Sequence, residues 1–158
     1  MPSGRVHAAA SAVLSVPLSG FIFGATANSS LAMAIGGGCL AGILLTPDLD
    51  QETISSSEYS LIKYTLGLGF LWAMLWYPYA RLCRHRSPLS HWPVLGTAGR
   101  LLYICLPLAA YQYFTGWQMP KQWLPLLPFA VAGLALSDAL HFVFDWRWGD
   151  APRRRSRR

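Results

Sequence analysis

An all-α, polytopic membrane bundle is the fold class this sequence predicts, on three observations. Hydrophobic residues fill 53% of the 158 positions and charged residues only 13%, too apolar a balance for an ordinary soluble domain of this length. The apolar residues collect into segments close to the roughly 20 residues that a helix needs to cross a hydrocarbon core of about 30 Å. Most of the basic residues behind the net charge of +6 fall outside those segments.

Residues 8–25 read as the first span, and the short Asn28-Ser29-Ser30 turn leads directly into a second, 30–46, so the two form a helical hairpin. Cleavage of a secretory signal near Ala25-Thr26-Ala27 is the alternative, but the basic region before the apolar run is thin. Gly20 with Gly24, and Gly38 with Gly42, have the G-x-x-x-G spacing that lets helices approach closely. Residues 94–115 and 124–145 form a second hairpin.

Segment 61–79 is ambiguous, because it carries Lys63, Gly67 and Gly69 and ends in Trp72, Trp76, Tyr77 and Tyr79, an aromatic set suited to a membrane interface. A single crossing there would put Arg81, Arg84, Arg86 and the tail on the opposite side from Arg5 and Lys63. The positive-inside rule favours keeping them together. The expected architecture is therefore four transmembrane helices plus one interfacial or re-entrant helix, with both termini cytoplasmic in a bacterial inner or cyanobacterial membrane.

Residues 1–150 are expected to form one membrane domain and 151–158 a disordered basic tail. Arg153, Arg154, Arg155, Arg157 and Arg158 suit anionic headgroups, at about 1 kcal/mol each, better than a specific nucleic acid. Cys39, Cys83 and Cys105 show no C-x-x-C spacing and imply no disulfide framework. Cys83, two residues before His85, is at most a soft ligand.

The chemistry is concentrated in four histidines, His7, His85, His91 and His141, all at the edges of apolar segments. Imidazoles and carboxylates are costly beside hydrocarbon unless they hold an ion, bond one another or line a wet cavity. Asp138, His141 and Asp145 are spaced i, i+3, i+7 and form one polar stripe on an apolar helix, although Arg147 offers Asp145 an ordinary surface partner. Asp48 and Asp50 follow Pro47, which ends the second span. Arg84-His85-Arg86-Ser87-Pro88-Leu89-Ser90-His91 combines imidazoles with anion-binding donors. Arg100, inside an apolar segment, is expected to pair with Asp138.

Several of these motifs occur in a recognisable order: Ser3-Gly4-Arg5-Val6-His7, Pro47-Asp48-Leu49-Asp50, Trp76-Tyr77-Pro78-Tyr79, His85 through His91, Leu95-Gly96-Thr97, and Asp138 to Asp145. In this the chain resembles a bacterial and cyanobacterial family of metal-binding integral membrane proteins. That family is similar to the YdjM-type inner-membrane metal-dependent hydrolases and, more distantly, to zinc-dependent phospholipase C. The resemblance covers nearly the whole chain, departing from the pattern in a longer, more apolar segment 61–79. It implies a metal site of His7, Asp48, Asp50, His85, His91, Asp138 and His141.

A mixed imidazole and carboxylate set suits zinc first, with manganese or iron as alternatives. The functional expectation is a membrane-embedded metal-dependent hydrolase acting on a lipid or phosphoester at the cytoplasmic interface. Asp50 or Asp138 would serve as general base and Arg86 would steady the developing anion. The competing expectation is a membrane protein that binds metal without chemistry, in transport, sensing or assembly.

Overall fold

After the first apolar segment the chain reverses at Ala27, which takes a left-handed φ of 50°. Asn28 then caps the next helix, accepting a hydrogen bond from the Leu31 amide at 3.2 Å and satisfying one of the amides that a helix start leaves open. In this computed structural model, which describes residues 4–50, 54, 56–65, 67, 69–83 and 87–149, the result is an antiparallel pair, α1 (Gly4–Thr26) and α2 (Ser29–Ala41). His85, Arg84, Arg86 and the arginine tail lie outside the described residues. No strand occurs among the described residues.

The second segment is shorter than expected. α2 has 13 residues, about 20 Å of helix, and beyond Ala41 the chain continues as turns before a 3-10 turn at Pro47–Asp50. Gly36, Gly37, Gly38 and Gly42 weaken helix propensity here, and Pro47 donates no amide. By length and composition three helices among the described residues can cross a membrane, Gly4–Thr26, Pro93–Thr115 and Lys121–Arg147, rather than the four expected.

The remaining elements are α3 (Ser56–Tyr64), α4 (Gly69–Leu82), the single turn α5 (Pro88–His91), α6 (Pro93–Thr115), a 3-10 turn at Lys121–Leu126, and α7 (Leu127–Gly149). Proline in its first turn starts α6 without wasting a donor. Gly116 ends it in a left-handed conformation, φ 67°, with its amide bonded to the Gln112 carbonyl.

Helices α2 and α7 pack closest, and glycine makes this possible. A Cβ on Gly38 would stand 1.9 Å from the Ala130 carbonyl oxygen, and one on Gly133 would stand 2.0 Å from that of Ile35. Of the two G-x-x-x-G pairs, Gly38 and Gly42 serve this interface, whereas Gly20 and Gly24 have nothing within 4 Å of their missing side chains.

Segment 61–79 is broken rather than continuous. Gly67, at φ 89°, turns the chain between α3 and α4, and Gly69 lies so close to the Ile62 backbone that a Cβ would sit 2.4 Å from its amide nitrogen. The two helices, 9 and 14 residues long, fold back on each other and return the chain to the end of the bundle from which it left. Trp76 and Tyr79 do not form an interfacial belt. They are 1% and 4% exposed and pack with Leu49 in a core bordered by Leu45, Trp72, Leu75 and Tyr103, because Leu49 enters from the 3-10 turn and needs an apolar lid. Tyr77 remains exposed.

Candidate metal centre

Two polar stripes face each other across the first and last helices. On α1, His7, Ser11 and Ser15 are buried at the i, i+4, i+8 spacing that lines one helix face. On α7, Ser137 and His141 are buried and continue to Asp145 at the same spacing. Because the helices are antiparallel, the stripes pair in order. The Ser11 and Ser137 hydroxyls are 2.7 Å apart, and the His7 and His141 rings stack with centroids 3.8 Å apart. Cys39 of α2 donates its thiol to the Ser11 carbonyl at 3.3 Å, so it serves packing and belongs to neither ligand group described below.

Asp145 lies between the two imidazoles. Its Oδ1 is 3.3 Å from His7 Nε2 and its Oδ2 is 3.4 Å from His141 Nε2. The turn after α2 brings Asp48 Oδ1 to 3.8 Å from His141 Nε2. From the turn before α6, His91 places Nδ1 3.3 Å from Asp50 Oδ2 and 3.2 Å from the Ser90 hydroxyl. Its ring centroid is 6.1 Å from that of His141.

Two sets of three potential ligand atoms therefore converge, His7 with His141 and Asp145, and Asp48 with His91 and His141, each within 4.8 Å. His141 is common to both. Tetrahedral zinc with bonds near 2.0–2.1 Å holds its ligand atoms about 3.3 Å apart, and the two Asp145 contacts have this length. Among the described residues, buried His141 Nε2 makes no hydrogen bond despite its two carboxylate neighbours, and buried His7 Nδ1 makes none either. A cation between these atoms satisfies the first of them, so the residues present fit a divalent metal.

Asp138 stands beside these sets and not within them. Its Oδ2 accepts hydrogen bonds from Arg100 Nη2 and the Thr97 hydroxyl, and Arg100 and Asp138 are each 1% exposed. This is the pairing expected for Arg100 from the sequence. It clamps α6 to α7 one turn away from His141. Nearby, burial pushes the Tyr79 phenol well above its ordinary range, with Cys83 acting in the same direction and Arg100 opposing.

Of the predicted site residues, the structure brings together His7, Asp48, Asp50, His91 and His141 at one end of the bundle and sets Asp138 against Arg100, while His85 and Arg86 lie outside the described residues. Asp145, read from sequence as a surface partner of Arg147, instead joins the two imidazoles. The signal was present in its i+4 spacing from His141, but choosing between Arg147 and a ligand role required knowing what α1 presents opposite.

No curated protein and no solved structure matches the chain. Residues 2–155 match the model of a family described as "Uncharacterized metal-binding protein (DUF2227)". With nearly the whole chain matched and a histidine and aspartate cluster at the end of its bundle, the protein belongs to this metal-binding family.

Proposed function

We propose that the protein is a membrane-embedded metal-dependent hydrolase that cleaves an ester or phosphoester at the membrane interface. One observation carries the reading: the Asp145 carboxylate spans two stacked imidazoles at ligand-to-ligand distances, with Asp48 and His91 beside them. Along α1, His7 lies about 30 Å from the Thr26 end, roughly one hydrocarbon thickness. A bundle inserted with its Thr26 end at one interface thus holds the cluster at the other, within reach of headgroups.

His7, His141, Asp145, Asp48 and His91 are the ligand set, and we add His85, which lies outside the described residues, as a further candidate. A divalent ion, zinc before manganese or iron, would supply the Lewis acidity that polarises the scissile group and makes a water acidic enough to attack. With its Nδ1 toward Asp50, His91 has its tautomer and ring orientation set, as a carboxylate does for a ligating imidazole. To Asp50 we also assign the role of proton acceptor. Asp138 has Arg100 and Thr97 donating to the same oxygen, and we assign it to holding α6 on α7. To Arg86, outside the described residues, we assign the donor for the developing anion.

Metal analysis of the purified full chain, with His7→Ala, Asp48→Ala and His91→Ala, tests the centre. The native protein is expected to carry the ion, and each variant to lose it together with hydrolysis of ester and phosphodiester probes. Unchanged metal content in all three variants overturns the centre. Metal held without turnover of any probe overturns the hydrolase and leaves a protein that binds metal for transport, sensing or assembly.

A further inference from the structure

At the His7 end of α1, a groove of about 370 Å³ runs between α1, the turns after α2, and α3, lined by Arg5, Ala8, Ile43, Leu44, Leu61 and Tyr64 among others. Its size falls within the about 300–1,000 Å³ of small-molecule sites. Both walls lead to proposed ligands. Arg5 and Ala8 flank His7 in the first turns of α1, and Leu44 precedes Asp48 by one turn's length of chain.

The walls are apolar with a cationic rim. Arg5, which lines the groove, is exposed and supplies that charge. Among the described residues no carboxylate lines the groove. An extended peptide would need backbone partners, but two of the walls here are helices whose amides and carbonyls are spent on one another. An alkyl chain needs none, and an anion at its end meets Arg5.

We propose that this groove holds one acyl chain of an anionic lipid, with the lipid phosphate on Arg5 and the headgroup linkage delivered to the His7 and His141 end of the bundle. The proposal deepens the hydrolase reading by naming the substrate class. It rests on that reading only for the fate of the lipid, because binding is measurable without turnover.

The test uses the full chain in nanodiscs of phosphatidylcholine containing phosphatidic acid, with retained lipids counted by native mass spectrometry and metal content measured in parallel. The native chain is expected to retain one phosphatidic acid, in preference to phosphatidylcholine by about fivefold, the size of effect one basic residue near a lipid phosphate gives. Exposed Arg5→Gln should abolish the preference, and Ala8→Trp should abolish retention, with metal content unchanged in both. Equal retention and preference in all three proteins, or no anionic preference in the native chain, overturns the proposal. Lipid retention that follows this pattern in a protein without metal supports the groove and overturns only the metal centre.

Discussion

The His7 and His141 rings lie face to face, centroids 3.8 Å apart and planes 16° from parallel. Protons compete directly with metal for imidazole nitrogens and carboxylates. Metal affinity should therefore fall steadily as pH is lowered from about 8 to 5, measured by metal titration against a chelator. Affinity that is flat across this window would contradict the ligand set.

Asp50 touches His91 and lies outside both three-ligand sets, so its removal separates orientation from ligation. Asp50→Asn should cost about 10–100-fold in metal affinity, the usual effect of losing the partner of a ligating imidazole. His141→Ala should cost more, because that residue belongs to both sets. Competitive metal titration of the two variants would show the order, and the reverse order would remove His141 from the centre.

The buried Arg100 and Asp138 pair predicts non-additive unfolding. Arg100→Leu leaves an uncompensated carboxylate and should cost about 3–5 kcal/mol. Replacing both residues by leucine should recover most of that loss, read by thermal unfolding of the purified protein. Equal losses in the single and double variants would mean the pair is held by something other than its charges.

Gly38 and Gly20 make a matched test of packing. Gly38→Val drives a side chain into the Ala130 carbonyl and should destabilise by at least about 1–3 kcal/mol. Gly20→Ala meets nothing within 4 Å and should stabilise by about 0.5–1 kcal/mol through backbone entropy. Melting temperatures of the two variants should move in opposite directions.

Tyr79 predicts an alkaline limit to stability. Its phenol is held above its ordinary range in the folded state, first by burial, so the folded chain binds that proton more tightly than the unfolded one. The sign follows from linkage: the contribution is complete below about pH 10, where an unfolded tyrosine ionises, and declines as pH rises beyond it. Tyr79→Phe should flatten the fall in unfolding free energy above that pH.

Much of this arrangement could be read along the chain. The turn at Asn28, the stop at Gly116, and the apolar lengths of α1, α6 and α7 follow from local chemistry, and the i, i+3, i+7 spacing places Asp138, His141 and Asp145 on one side of α7. Less legible was the length of α2, where a run of glycines retains the apolar character of a span while weakening the helix. The burial of Trp76 and Tyr79 was also hidden, since aromatic residues near a membrane surface and in a small core look alike until Leu49 is placed beneath them.

The sequence by itself determined the helical, apolar character of the chain and which side chains could carry metal chemistry, because propensity, capping and helical spacing act over a few residues. Only the tertiary structure decided that α3 and α4 fold back instead of crossing. Tertiary packing likewise brings Asp50 to His91 and gives Asp145 to His7 and His141 rather than to Arg147. Each of these outcomes depends on which surfaces meet across the bundle, and residue spacing along one helix carries no information about what lies opposite.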